Sequence, residues 1–226
     1  MKPSVKLAAF PFVRETERLD TPAVGGPLKR AFDVVSAALG LFMLSPLFIM
    51  MIILIKMSDG GPVFYRHRRI GRGGRPFYCL KFRTMKTNGD AILESYLREN
   101  PQARAEWIST RKLQSDPRVT DVGSVIRKLS LDELPQLLNI LRGEMSIVGP
   151  RPIIGEELEL YGPAAAYYMR SRPGLTGIWQ ISGRNDVPYD KRVAYDQGYV
   201  ENWSFRGDVA IILKTIPVVC AARGSY

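Results

Sequence analysis

The sequence predicts an α+β fold, mostly helical, in which one apolar segment seats a basic domain on a membrane. Three observations carry this. Residues 34–55, VVSAALGLFMLSPLFIMMIILI, hold no formal charge and, at ~1.5 Å per residue, just match a hydrocarbon core ~30 Å thick. The runs Val63–His67 and Phe77–Phe82 are β-rich and flank Gly71-Arg72-Gly73-Gly74, which is a hairpin signal. Leu134, Leu137, Leu138 and Leu141 recur at helical spacing and imply one buried stripe, ended by Gly143.

Ahead of the apolar run, the first ~30 residues are mixed in charge, interrupted by Pro11, Pro22 and Pro27, and lack the apolar core and cleavage site of a secretory signal. They read as a loosely held arm over 1–28, followed by a membrane segment over 29–57 and a catalytic domain over 58–226. Ser45-Pro46 interrupts the apolar run at its middle, where proline removes a backbone donor and displaces the carbonyl four residues back, so a kink is expected. Lys2, Lys6, Arg14, Arg18, Lys29 and Arg30 precede the run, and Lys56, Arg66, Arg68, Arg69, Arg72, Arg75 and Lys81 follow it. Both flanks thus have the basic character of cytoplasmic loops. A segment that dips in and returns satisfies both flanks, a spanning helix strands one outside, and the residues alone leave both courses open. A buried core helix is disfavoured because the run is apolar on every face.

Within the domain, AILESYLRENPQARAEWISTRKL reads as helix broken at Pro101, with a solvated or membrane-surface face. The glycines at 71–74 can cradle a phosphate, but no helix starts directly after them, so the turn is the better reading. RPGLTGIWQISGRNDVPYD is an ordered loop rich in glycine and proline. The stretch Val209 to Ala222 is too short to span and fits a core helix or an interfacial one equally.

A chain of 226 residues suits one sizeable core, and no linker divides it. Lysine and arginine number 32 against 22 acidic residues, a formal charge of +10 that points to an anionic partner: phospholipid, nucleotide, phosphorylated substrate or nucleic acid. Cys79 and Cys220 match no paired metal-ligand spacing, which argues against a disulfide framework or a zinc site.

Arg127-Lys128-Leu129-Ser130-Leu131-Asp132-Glu133 is the sharpest constellation, with adjacent carboxylates directly after two cations at a helix start. Local structure accounts for one of them: Ser130 and Glu133 have capping-box spacing, or, given Pro135, Asp132 is itself the cap. On the functional reading, the helix terminus lowers the pKa of Asp132 and keeps it ionised as a nucleophile at phosphorus. Glu133 then helps hold a divalent cation, because magnesium needs only one or two carboxylates beside substrate phosphate oxygens. Basic candidates for the phosphoryl charge are Lys81, Arg83, Arg127, Arg151 and Arg184, each of which also has an ordinary reading as a solvated or salt-bridged side chain. Arg151 stands out because Pro150 and Pro152 stiffen its backbone. His67 has no second histidine to work with, so a Ser/His or Cys/His arrangement has little support.

Taken in order, KFRTM, SLDELPQLLNILRGEMSIVGPRP and RPGLTGIWQISGRND closely resemble the bacterial sugar transferases, monotopic polyprenyl-phosphate phosphoglycosyl transferases, from about Lys29 to the C-terminus. The chain most resembles the short exopolysaccharide-initiating members. The resemblance implies a mostly helical monotopic fold with a re-entrant membrane helix broken at Ser45-Pro46, interfacial helices and a small β-hairpin. It implies transfer of a hexose 1-phosphate, galactose before glucose, from a UDP-sugar to undecaprenyl phosphate at the cytoplasmic face of the bacterial inner membrane, with release of UMP. Asp132 would be the nucleophile of a covalent phosphosugar intermediate, Glu133 its partner, and Mg2+ the cofactor held by the two. Lys81, Arg83, Arg127, Arg151, Gln180 and Arg184 would be substrate-binding, and Ser45, Pro46, Pro150 and Pro152 structural. His67 stands where glutamine is commoner, and Ile178-Trp179-Gln180 varies a stretch usually written with tryptophan then alanine.

Two rival readings remain. A membrane-tethered basic module for nucleic acid or acidic lipid needs neither carboxylate, but no nucleic-acid fold signature is present, and no nucleic-acid partner is expected. A nucleotide-sugar pyrophosphatase would release UMP without a lipid acceptor.

Overall fold

The computed structural model describes residues 22–110, 113–183 and 187–220, leaving aside the side chains of Thr110, Val219 and Cys220. Most of the arm, together with Arg184, lies outside the described residues.

The apolar run forms two helices, α1 (Gly26–Met43) and α2 (Ser45–Asp59), bent by 63° where they meet. Pro46 has no N–H to give to α1 but fits the first turn of α2, and the Ser45 hydroxyl donates to the Phe42 carbonyl at 2.8 Å. At 18 and 15 residues the two helices are roughly 27 and 22 Å long, each short of a ~30 Å core. No single helix among the described residues is long and apolar enough to cross a membrane, whereas the bent pair together has the length and composition. The pair is not uniform. Lys29, Asp33 and Ala37 pack inward, while Val35, Leu39, Phe42 and Met43 on α1 and Ile49, Met50, Ile53 and Met57 on α2 are exposed.

Polar anchors tie both ends of the pair to one body. At the start of α1, Lys29 Nζ meets Asp208 Oδ2 at 2.6 Å, and the Arg30 guanidinium donates to the carbonyls of Ile140 and Leu141. Asp33 Oδ1 accepts from Ser146 Oγ and the Ile147 amide, both at 2.9 Å. At the end of α2, Asp59 pairs with Arg83 and accepts from the Thr87 amide at 3.2 Å.

The hairpin is longer than its β-rich cores: β1 (Phe64–Ile70) and β2 (Pro76–Phe82) are antiparallel with Tyr65 opposite Lys81, His67 opposite Cys79 and Arg69 opposite Phe77. The turn between them is a single 3-10 turn that uses Gly73 and Gly74 at φ 67° and 72°, values only glycine adopts freely, so the glycines serve the turn. Next, α3 (Gly89–Glu99) and α4 (Pro101–Thr110) meet at Pro101 as the sequence indicates. Then come α5 (Asp121–Lys128), a 3-10 turn at Leu131–Glu133 and α6 (Gln136–Arg142). A second small sheet, unforeseen in the sequence, pairs β3 (Ser146–Val148) in parallel with β4 (Gly174–Thr176). Short helices α7 (Gly155–Leu160), α8 (Ala165–Arg170) and α9 (Ile178–Ile181) precede the longer α10 (Tyr189–Glu201) and α11 (Phe205–Cys220).

The expected single stripe on the leucine-rich helix is corrected in two ways. Leu134 belongs to the turn before α6, and Gln136, Leu137, Asn139 and Ile140 are all buried, so α6 is enclosed on most sides. Asn139 makes this possible: its Oδ1 accepts from the Leu80 amide at 2.9 Å, and its Nδ2 donates to the Tyr78 carbonyl and to Glu144. One amide side chain thereby satisfies the edge of β2 and fixes α6 against it. Phe77, Cys79, Leu137, Ile140, Met145 and Ala37 close the core around this contact. In α11, Asp208 and Ile211 face the core, while Val209, Leu213 and Ile216 present an exposed apolar face.

Candidate active site

Ser130 is the sole non-glycine residue with positive φ among those described, at 55°. Such a backbone costs energy and persists where the surroundings over-determine it. Here it ends α5 and turns the chain directly into Leu131–Glu133, which lies against β2. Neither capping arrangement forms. Ser130 and Asp132 make no cap hydrogen bond, and α6 begins only after Pro135. Both carboxylates instead turn to Lys81 on β2, whose Nζ lies 3.3 Å from Asp132 Oδ2 and 2.7 Å from Glu133 Oε1.

Burial pushes the Asp132 carboxyl above its ordinary value; Lys81 opposes this, Glu133 beside it adds to it, and Arg127 opposes it more weakly. The expected lowering of Asp132 by a helix terminus is therefore corrected, since the turn that holds it is a single 3-10 turn with no helix dipole to offer. Burial works against the charge on Lys81, but the two carboxylates outweigh it and hold the ammonium firmly protonated. Cys79, near the pair, is a thiol pushed up to about 11 by burial, so it stays protonated at neutral pH and is no nucleophile.

Arg127, at the end of α5, donates through Nε to Thr84 Oγ1 at 2.8 Å, which points the helix end at the strand that carries Lys81. Gly123 permits the approach, since any Cβ there would collide with the Thr84 carbonyl. Arg83 turns elsewhere, to Asp59 at the end of α2, with its Nη1 buried and unpartnered. His67 Nδ1 takes an N–H of Arg69 at 3.1 Å, and burial, with Arg69 and Lys81, lowers its pKa, so the ring is neutral and occupied.

Arg151 and Gln180 lie in a second cluster. The Arg151 guanidinium sits 4.9 Å above the indole of Trp179, and Arg192 sits 5.3 Å from the same ring. Pro150 is fully buried. Gln180 Oε1 and Trp179 Nε1 are buried without partners. Arg69 is close enough to feel the charge of Arg151 and is held by Glu157 at 3.6 Å. Sequence reasoning singled out Lys81, Asp132, Glu133 and Arg127, which the fold brings together. It gave no role to Asp59, Thr84, Trp179 and Asp196, of which Thr84 and Trp179 lay inside recognised motifs. A groove of about 450 Å³, walled by Ser58, Asp59, Lys86, Thr87, Thr120 and Asp121, opens where α2 meets the starts of α3 and α5.

A carboxylate pair on a protonated lysine, with Arg127 beside it, is equipment for moving a phosphoryl-bearing group. The class is an enzyme of sugar-phosphate transfer. The family described as Bacterial sugar transferase matches residues 24–222, and the chain belongs to it. It is 60% identical over 226 residues to the exopolysaccharide production protein ExoY of Rhizobium meliloti (strain 1021), with the whole of both chains covered. It is 52% identical over 200 residues to the undecaprenyl-phosphate galactose phosphotransferase of Salmonella typhimurium, covering 88% of this chain and 42% of that one. A UDP-glucose:undecaprenyl-phosphate glucose-1-phosphate transferase of Caulobacter vibrioides is 38% identical over 218 residues, covering 89% of this chain and 76% of the relative.

Proposed function

We propose that the chain transfers a hexose 1-phosphate, galactose in the first place and glucose in the second, from a UDP-sugar to undecaprenyl phosphate, as the first membrane step of exopolysaccharide synthesis. The observation that carries this is Lys81 holding Asp132 and Glu133 together on β2, beside Arg127. The names of the Salmonella and Caulobacter relatives support undecaprenyl phosphate as the acceptor, and that of the Caulobacter relative supports a UDP-sugar as the donor.

In the first half-reaction a carboxylate oxygen of Asp132 bonds to the phosphorus that carries the sugar, and the bond from that phosphorus to the bridging oxygen breaks. UMP leaves with the electron pair. In the second, an oxygen of the lipid phosphate attacks the same phosphorus and the aspartyl oxygen leaves, which restores Asp132 and forms a lipid diphosphate sugar. Lys81 keeps the two carboxylates in place, and Arg127, Arg151 and Gln180 bind the donor; Arg83 fixes the exit of α2 through Asp59.

Asp132 and Glu133 each present one carboxylate oxygen that Lys81 does not engage, which suits Mg2+, an ion content with one or two protein carboxylates. Bound there, the ion would supply charge neutralisation for the diphosphate. No group of three or more His, Cys, Asp or Glu among the described residues forms a fuller cage.

The bent pair is read as re-entrant, so that the protein is monotopic on the cytoplasmic face of the inner membrane. Lys29 and Asp33 at one end and Asp59 at the other are fastened to the same catalytic body, which supports a single face for both. Cysteine labelling before Gly26 and in the catalytic body is expected to report the same side; labelling from opposite sides would sink the re-entrant reading. For the reaction, a panel of UDP-sugars is expected to give UMP only with undecaprenyl phosphate and Mg2+ present in catalytic amounts of enzyme. Sustained UMP release without lipid would favour a pyrophosphatase instead.

A further inference from the structure

Arg151 is held in an unusual way for a surface-domain arginine. Its backbone is clamped by Pro150 and Pro152, and its amide donates to the carboxylate of Asp196, which is itself bound by the Tyr161 hydroxyl at 2.7 Å. Its guanidinium pairs with no carboxylate among the described residues; what it meets is the face of Trp179, with Arg192 on the same indole and Arg69 near by. Trp179 is 7% exposed, so the ring cannot swing away without opening the core. A carboxylate would hold the arginine as firmly, but it would also cancel the charge and occupy the N–H edges. An indole attracts the cation through its ring quadrupole and leaves the five donors free.

We propose that Trp179 is the positioning residue of Arg151: its indole fixes the guanidinium over the ring face, without neutralising it, for the diphosphate of the UDP-sugar. The proposal rests on the reading of the chain as a UDP-sugar transferase. Arg69 lies close enough to add to the field around this point, and Glu157, 3.6 Å from Arg69, takes its place on Arg69 rather than on Arg151. Gly177 keeps the approach to the neighbouring Gln180 open, because a Cβ there would meet Gln180 Oε1 at 2.8 Å.

The test is binding of UDP to the full-length protein in nanodiscs by calorimetry, so that it does not depend on turnover. Trp179→Leu is expected to weaken UDP about tenfold, Arg151→Ala at least as much, and the double variant no more than Arg151→Ala alone, because both changes remove one contact. Trp179→Phe, which keeps an aromatic face, is expected to bind within about twofold of the wild type. Wild-type affinity in Trp179→Leu, losses that multiply in the double variant, or absence of UDP binding by the wild type would each overturn the proposal. Should leucine unfold the protein, Trp179→Met gives the same comparison, with the same expected loss. Release of UMP from UDP-galactose by the wild type is measured beside it: activity with an unaffected Trp179→Leu removes this proposal alone, whereas inactivity on every UDP-sugar removes the transferase reading.

Discussion

Asp132→Asn is expected to reduce UMP release by about a thousandfold or more, since the variant keeps the shape of the side chain and loses the oxygen that, on the proposed mechanism, bonds to phosphorus. The fold should survive. Lys81 retains Glu133 at 2.7 Å, the Leu131–Glu133 turn is held by backbone bonds from Ser130 and Leu134, and a buried carboxylate whose charge is disfavoured by burial is replaced by a neutral group. Intact mass spectrometry supplies the direct check. Wild-type protein mixed with UDP-galactose in the absence of lipid should gain the mass of one hexose phosphate, and the variant none. Full activity in Asp132→Asn would end the nucleophile assignment. The same burial sets a pH dependence. The carboxyl titrates above the usual aspartate range, and only its ionised form attacks, so activity should fall as pH drops toward that raised value, earlier than for an exposed aspartate. Removing the charge should leave stability at neutral pH unchanged or improved, as expected where a site carries a group for chemistry rather than for folding.

The parts of this fold that sequence made legible are those with a local cause. Pro46 bends the apolar run because it lacks a donor, Gly73 and Gly74 close the hairpin because the turn needs positive φ, and Pro101 separates α3 from α4. None of these depends on what lies across the molecule. What sequence missed depends on such distant contacts. Ser130 and Glu133 have the spacing of a capping box, yet the box yields to Lys81, which lies 52 residues away along the chain from Glu133 and in contact across β2. Periodicity likewise placed Asn139 on no particular face, while its two hydrogen bonds to β2 decide the orientation of the whole of α6. The Arg151–Trp179 contact joins the proline-flanked segment after β3 to the short helix α9 and carries no periodic signal at all. Asp33 is the clearest case: it falls in the membrane segment read over 29–57, yet it is 1% exposed and accepts hydrogen bonds from β3. The first turns of α1 thus belong to the catalytic body, and the apolar face begins only beyond them.

Lys29→Met is expected to cost about 3–5 kcal/mol of stability, because it leaves Asp208 buried without its counter-ion. The two side chains are 5% and 0% exposed, so water cannot take the place of the ammonium. The Tyr199 hydroxyl at 2.9 Å and Trp203 Nε1 at 3.1 Å would remain on Asp208, two neutral donors facing a full charge. Tyr199 also donates to the Val148 carbonyl, so a disturbance at Asp208 reaches β3 directly. Thermal unfolding of the protein in nanodiscs, followed by tryptophan fluorescence, should show a fall of roughly 10 °C for a chain of this size. Lys29→Met with Asp208→Asn should recover much of it, since no charge is then stranded; a double variant as unstable as the single one would assign the loss to packing around Trp203 instead. The functional consequence follows from position. Lys29 ties the start of α1 to the body through Asp208, and Asp59 ties the end of α2 to it through Arg83. On the re-entrant reading, loosening Lys29 should reduce turnover on membrane-held undecaprenyl phosphate more than binding of soluble UDP, a difference that global unfolding would not produce.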